Sequence, residues 1–166
     1  MALIVEDGSI VTGANTYVSR ADYIAYALTV GVVIPDDATA DAELVKSSQF
    51  IDSLEQSLMG YRVTRDQPIA YPRYDLYIEG WSWAHTEIPR QVILAQLALS
   101  LEVHAGEDPF NPPDNLPIIE NEVSGAVRQK FATPSVNKLS KTSTAQALLN
   151  SLKKRNGLFS IPLVRA

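Results

Sequence analysis

Cysteine is absent from the chain, which excludes a disulfide framework and every thiolate metal or redox motif. That absence suits assembly in a reducing cytoplasm. Histidine occurs only twice, at His85 and His104, so imidazole chemistry has few places to reside. No apolar run approaches the roughly 18 residues that span a bilayer. The opening MALIVEDGS turns acidic by Glu6 without a basic stretch or a long apolar core, which argues against a secretory signal. We expect a soluble chain with no membrane partner. The most informative shortage is of one charge sign, because no Asp or Glu follows Glu122. Residues 123–166 carry Arg128, Lys130, Lys138, Lys141, Lys153, Lys154, Arg155 and Arg165, eight positive charges against none. Residues 1–122 hold six Lys and Arg against all nineteen acidic residues, a net of −13. A segment of +8 seeks phosphate or an acidic protein surface, or else neutralises acids of its own or a neighbouring subunit.

What is present is ordinary globular material, 46% hydrophobic and 20% charged over 166 residues, enough for one domain with a real core. The reading is a mainly α chain: a small helical bundle with an extended loop or β-hairpin arm and an extended C-terminal tail. Residues 1–122 form the acidic helical body. Residues 123–166 form a basic arm, a short last helix and a tail within the same unit. Ser19-x-x-Asp22 caps a first helix with Tyr23, Tyr26, Ala27 and Val30 on one face, stopped by Gly31. A second helix is expected from about Thr39 to Met59, with Asp36, Asp37 and Asp41 at its positive end and Leu44, Ile51, Leu54 and Leu58 on one face. Pro89 opens a third helix that ends at Gly106. This helix is so apolar around its circumference that only Gln96, Ser100 and His104 make a polar stripe, so it must be covered on most sides. Residues 60–87 contain two prolines and two glycines, which suit an ordered loop with Leu76–Ile78 and Trp81–Trp83 as short strands. Four prolines within 107–120 predict an irregular crossing. Alternation over Glu122–Thr133 predicts a strand or hairpin arm. Residues 134–142 are expected to be mobile, and Thr142, Ser143 or Thr144 caps a short last helix that runs to about Lys154.

Catalytic chemistry has little to stand on. His104 lies near Glu102, Glu107 and Asp108, but that spacing matches no metal site, and an exposed last-turn histidine is the commoner situation. Nucleophile elbows and phosphate-binding glycine loops are missing. We expect no enzyme, no cofactor and no metal. The stretch Tyr71, Arg73, Tyr74, Tyr77, Trp81 and Trp83 has the composition of a base-stacking surface. Asp75 and Glu79 interrupt it, and Arg73 is its one strongly basic residue, so packing over the helical bundle is the favoured reading. The basic segment can contact phosphate without sequence-reading geometry.

Several landmarks together resemble the head–tail connector, or adaptor, proteins of tailed phages. Members often begin with an M-x-L-x-V-E-D-G-like stretch and continue with A-N-S-Y-V-S, here ANTYVS at 14–19. Phe50-Ile51-Asp52 through Gly60-Tyr61-Arg62 follows, then a Q-x-L-x-W-P-R-like element, here Gln67 to Arg73 with Tyr71 in place of the usual Trp. Ile88-Pro89 and the terminal Leu163-Val164-Arg165-Ala166 complete the series. The resemblance implies a virion neck protein made in the host cytoplasm, a ring of about twelve copies below the portal that extends the DNA channel. Under it, Leu158, Phe159, Ile161, Leu163, Val164 and Arg165 dock on the portal or the next neck protein. Leu94, Leu97, Leu101, Val127 and Phe131 lie between subunits. Arg128, Lys130, Lys153, Lys154 and Arg155 meet acidic partners or passing double-stranded DNA. Chains of this kind are often labelled DnaT-like single-stranded-DNA-binding proteins, and that is the alternative reading.

Overall fold

The structure, a computed structural model, describes residues 2–110 and 144–154 in full and the backbone of 118–123 and 127–131. Helix α1 (Arg20–Thr29) begins where its cap predicts: Ser19 Oγ accepts the Asp22 N–H at 3.1 Å and donates to the Asp22 carboxylate at 2.6 Å. It closes in a Schellman arrangement, with Val32 N–H on the Ala27 carbonyl and Gly31 N–H on that of Leu28. Helix α2 (Asp37–Ser53) is capped by Asp36, which accepts the Thr39 N–H at 2.8 Å. It stops well short of the expected Met59, passing into a 3-10 turn at Glu55–Ser57. The reasons are local competitors and a distant partner. Ser53 and Ser57 donate back to the carbonyls of Phe50 and Leu54, and the Met59 N–H is taken by the Leu152 carbonyl at 2.9 Å.

Helix α3 (Arg90–His104) follows Pro89 and ends in the same Schellman pattern, Glu107 N–H to Glu102 and Gly106 N–H to Val103. Its apolar circumference is covered within the chain: α2 packs along one side, α4 (Thr144–Leu152) along another, and α1 touches it. The main core joins Ile51, Leu58, Tyr71, Leu76, Ile78, Val92 and Leu99 to Ala145, Leu149 and Leu152 of α4. Each such fully buried aliphatic side chain stabilises the fold by about 1.5–3 kcal/mol. A second cluster holds Val18, Tyr23, Ala40, Leu44 and Leu97, with Leu94 and Leu101 half-buried against it. The polar stripe of α3 is turned inward. Gln96 Oε1 accepts the Tyr17 N–H at 2.9 Å, while its Nε2 donates to Thr16 Oγ1 at 2.7 Å and to the Leu44 carbonyl at 2.9 Å. Ser100 and Ser47 share a hydrogen bond at 2.7 Å where α2 and α3 meet. These buried polar groups are satisfied, so they fix the helix register instead of penalising it.

The expectation of a mainly α bundle is corrected. Four helices share the chain with three two-stranded antiparallel sheets among the described residues, a mixed α/β architecture. Strand β1 (Tyr61–Arg62) pairs with β2 (Arg73–Tyr74), and β3 (Leu76–Ile78) with β4 (Trp81–Trp83). Strand β5 (Ile118–Val123) pairs with β6 (Val127–Phe131). Helix propensity fails in 60–83 because glycine and proline interrupt it, and short antiparallel pairs then satisfy the backbone. The strands at 76–78 and 81–83 have the bounds read from the sequence. The polar stretch 134–142 and the C-terminal tail lie outside the described residues. Among the described residues no helix is long and apolar enough to cross a membrane.

The opening motifs clasp one another. Glu6 is buried, and its Oε1 accepts the N–H groups of Gly8 at 2.9 Å and Ile10 at 2.8 Å, while Oε2 accepts that of Val11 at 2.9 Å. The Glu6 N–H bonds the Thr16 carbonyl at 2.8 Å, and Asn15 Oδ1 accepts the Ile4 N–H at 2.9 Å. The V-E-D-G and A-N-T-Y stretches are therefore two halves of one folded loop.

Candidate functional site

Two buried polar side chains hold the segment after α2. Gln67 Oε1 accepts the N–H groups of Val63 at 2.8 Å and Thr64 at 3.2 Å, and its Nε2 donates to the carbonyls of Ile69 at 2.8 Å and Pro72 at 3.1 Å. Arg73 donates from Nε to the Met59 carbonyl at 2.8 Å, from Nη2 to Gly60 at 2.8 Å and from Nη1 to Ala70 at 3.2 Å. Only a planar fork can reach three carbonyls in this way. Gly60 sits so close to the neighbouring strand that a Cβ would lie 2.1 Å from the Tyr74 carbonyl oxygen, which leaves no room for another residue.

This staple sets the direction of the side chains around it. In β1–β2 the register opposes Arg62 to Arg73 and Tyr61 to Tyr74. Directly opposed residues share a face of an antiparallel pair, and successive residues alternate. The arginine face turns inward to Glu55, whose carboxylate accepts from Arg62 Nη2 at 2.7 Å and lies 3.6 Å from Arg73 Nη1. The tyrosine face turns outward, and the Tyr74 ring lies 4.5 Å from the His85 ring, tilted by 30°. In β3–β4 the alternation buries Leu76 and Ile78 and exposes Tyr77. Glu79 and Gly80 make the turn at φ 54° and 89°, the left-handed pair that suits a two-residue hairpin. Four large aromatics are left exposed, Tyr61 at 68%, Tyr74 at 43%, Tyr77 at 63% and Trp81 at 75%, and Trp81, opposed to Ile78 in register, stands on the other face of β3–β4 from Tyr77. The packing reading of the aromatic stretch holds for Tyr71 and Arg73, both buried, and Trp83, which packs against the core. It fails for Tyr74, Tyr77 and Trp81. Tyr71 occupies an apolar place. Its hydroxyl has no partner among the described residues, and burial pushes its pKa above the usual phenol value.

Cations lie close to β1 along the chain. The end of α4 runs antiparallel to the residues just before β1: Lys153 is bridged to Leu58, and Lys154 N–H donates to the Ser57 carbonyl at 2.8 Å. Arg65 is exposed beside Asp66 at 4.0 Å. Asp75 and Glu79 are exposed nearby in the chain and oppose the positive field. Arg128 and Lys130 stand in β6 opposite Glu122 and Glu120 in register. Val127 and Phe131 also lie in β6. Leu97 is buried in the chain's own second core cluster, with Leu94 and Leu101 beside it. Arg155, Leu158, Phe159, Ile161, Leu163, Val164 and Arg165 lie outside the described residues.

Elsewhere the converging polar groups serve the fold. His104 meets an acid distant in sequence. Its Nδ1 lies 2.8 Å from Glu43 Oε1 on α2, and Tyr23 donates to Glu43 Oε2 at 2.7 Å. Among the described residues no group of three or more His, Cys, Asp or Glu could hold a metal ion. Asp52 accepts from the Tyr17 hydroxyl at 2.9 Å and the Ala70 N–H at 2.8 Å, and its burial raises its pKa. A groove of about 920 Å³ along α2 is edged by charges that already pair, Arg20 with Asp41 at 2.7 Å and Lys46 with Asp108 at 3.1 Å.

Glu55 yields a pH prediction. Its hydrogen bond from Arg62, with the charge of that residue and of Arg73, lowers its pKa below the usual glutamate range despite partial burial. The native state then holds this proton less tightly than the unfolded chain does. Its contribution is fully present above about pH 4.5 and is lost as pH falls through the lower native value. In denaturant titrations between about pH 6 and pH 3 we expect Glu55→Gln to be less stable than the parent at pH 6, with the gap closing on acidification. A gap independent of pH would show that the carboxylate charge is immaterial.

Compared with known families, the chain matches over residues 1–166 the family described as "Putative DnaT-like ssDNA binding protein". No curated protein and no solved structure matches it. The match overturns the expected connector family, with its portal and neck partners, its ring and its passing double-stranded DNA, and favours the alternative reading. The landmarks behind that expectation explain the error. Glu6, Gln67 and Arg73 organise backbone, so they identify how a chain folds and carry no information about what it meets.

Proposed function

Since the chain belongs to the DnaT-like single-stranded-DNA-binding family, we propose that it binds single-stranded DNA, without catalysis, by stacking unpaired bases on Tyr61, Tyr74, Tyr77 and Trp81. The observation that carries this reading is the exposure of four large aromatics on two successive antiparallel pairs, while their strand neighbours Leu76, Ile78 and Arg73 are buried. An exposed ring offers a π-face to any base, so stacking of this kind tolerates sequence and requires an unpaired strand. Tyr61 and Tyr74 are cross-strand partners, with Cβ atoms about 5 Å apart in such a pair. Tyr77 follows three residues later, no more than about 10 Å along the chain. Several bases of one strand can therefore be held at once. The side chains behind the surface are locked by packing and by the Gln67 and Arg73 hydrogen bonds, so little order has to be gained on binding.

The test compares a fluorescently labelled single-stranded oligonucleotide with the duplex of the same sequence by anisotropy. Binding of the single strand, with quenching of tryptophan emission from exposed Trp81 and weaker binding of the duplex, supports the reading. Equal or tighter binding of the duplex refutes it.

A further inference from the structure

Resting on that reading, we infer that Lys153 and Lys154 hold the phosphates of the strand whose bases stack on the tyrosine face. The geometry comes from the docking of α4. Met59 N–H bonds the Leu152 carbonyl at 2.9 Å, Lys153 is bridged to Leu58, and Lys154 N–H bonds the Ser57 carbonyl at 2.8 Å. Tyr61 is two residues beyond Met59, at most about 7 Å along the chain. A helix distant in sequence thus brings two lysines alongside residues 57 and 58, a few residues before Tyr61 in β1. That juxtaposition, rings on a strand pair with cations alongside, is what a single strand needs, since its bases and its phosphates lie on opposite sides of the sugar.

The state of these ammonium groups supports the assignment. Arg20, Lys46, Arg62 and Arg73 each lie within 4.0 Å of a carboxylate. Lys153 Nζ instead contacts the neutral Asn150 Oδ1 at 3.1 Å, and Lys154 Nζ the Gln56 carbonyl at 3.2 Å. Among the described residues neither forms a salt bridge to an acid. Both therefore retain charge that a phosphate can use. The ordinary structural role for lysines here is to complement the negative end of the α4 dipole. The two roles separate cleanly, because a dipole contribution changes stability and a phosphate contact changes the salt dependence of binding.

The experiment measures affinity for a labelled oligothymidylate across a sodium chloride series, for the parent, for Lys153→Ala/Lys154→Ala and for Tyr61→Ala. The backbone bonds that dock α4 come from main-chain groups, so the double variant keeps them. Each phosphate contact on a single strand contributes about 0.7 to the slope of log K against log salt. The double variant should therefore lose about 1.4 of that slope and bind more weakly at low salt, whereas Tyr61→Ala should weaken binding with the slope unchanged. A double variant that binds with the parent slope overturns the phosphate role and leaves single-stranded DNA binding standing. A parent that binds no oligothymidylate refutes the functional reading itself and the phosphate role with it.

Discussion

Tyr61→Ala/Tyr74→Ala should bind single-stranded DNA at least about 30-fold more weakly than the parent, from a loss of about 1–3 kcal/mol for each stacked base. Stability should change little, because both rings lie on the outward face and contribute about 1 kcal/mol or less as a cross-strand pair. The measurement is anisotropy for affinity and urea unfolding for stability on the same samples. An affinity within twofold of the parent, with the fold intact, would remove these tyrosines from the interface. Trp81→Ala supplies an internal comparison: it lies at the tip of the second hairpin, so it should reduce affinity for long oligonucleotides more than for short ones.

The second large effect is on the fold. Arg73→Ala should destabilise the protein by about 3–5 kcal/mol, the cost of removing one partner from a buried charged network. Three carbonyls, those of Met59, Gly60 and Ala70, would lose their donor, the last of them fully buried. Against a typical total of about 5–15 kcal/mol, this loss brings the folded state near its limit. Arg73→Lys should recover only part of it, since one ammonium cannot span three acceptors that a guanidinium fork reaches. Urea midpoints report both. A midpoint for Arg73→Ala close to that of the parent would mean that the carbonyls are satisfied in another way. The two experiments address opposite faces of the same strand pair: its inward arginines hold it and its outward tyrosines are free for a ligand.

The helix beginnings were legible because they depend on neighbours in sequence. Ser19 with Asp22 acts within three residues, and Gly31 and Gly106 end helices through bonds inside one turn, whereas Asp36, read only as a charge at the positive end of a helix from about Thr39, is the cap of a helix that begins at Asp37. The end of α2 was not legible. Its stripe of Leu44, Ile51, Leu54 and Leu58 continues helical spacing past Ser53, whereas the chain turns there because Met59 is claimed by Leu152, far along the sequence. The partners of the polar stripe of α3 were not legible for the same reason. Gln96 and Ser100 resemble a solvated edge, yet their partners, Thr16, Tyr17, Leu44 and Ser47, come from two other parts of the fold.

The aromatic stretch shows the limit most directly. Its composition names the residues that could stack, but two- and three-residue strands are too short for period-two alternation to say which rings face out. Asp75 adds a left-handed kink at φ 55° between β2 and β3, so the alternation restarts there. The acid-free charge of 123–166 was likewise plain, but only the docking of α4 places Lys153 and Lys154 alongside Leu58 and Ser57, just before β1.

By itself the sequence determined the helix caps, the glycine stops, the two strand spans at 76–78 and 81–83, the lack of thiol chemistry and the surplus of cations after Glu122. These are local or compositional properties, set within a few bonds of the residues that carry them. The tertiary structure decided that the chain is mixed α/β, that Arg73 is an internal staple, and that Tyr61, Tyr74, Tyr77 and Trp81 remain outside the core. It also brought two lysines from the far end of the chain alongside Leu58 and Ser57. Those outcomes depend on which buried donors and acceptors find each other across long separations, and a single strand of text does not contain that pairing.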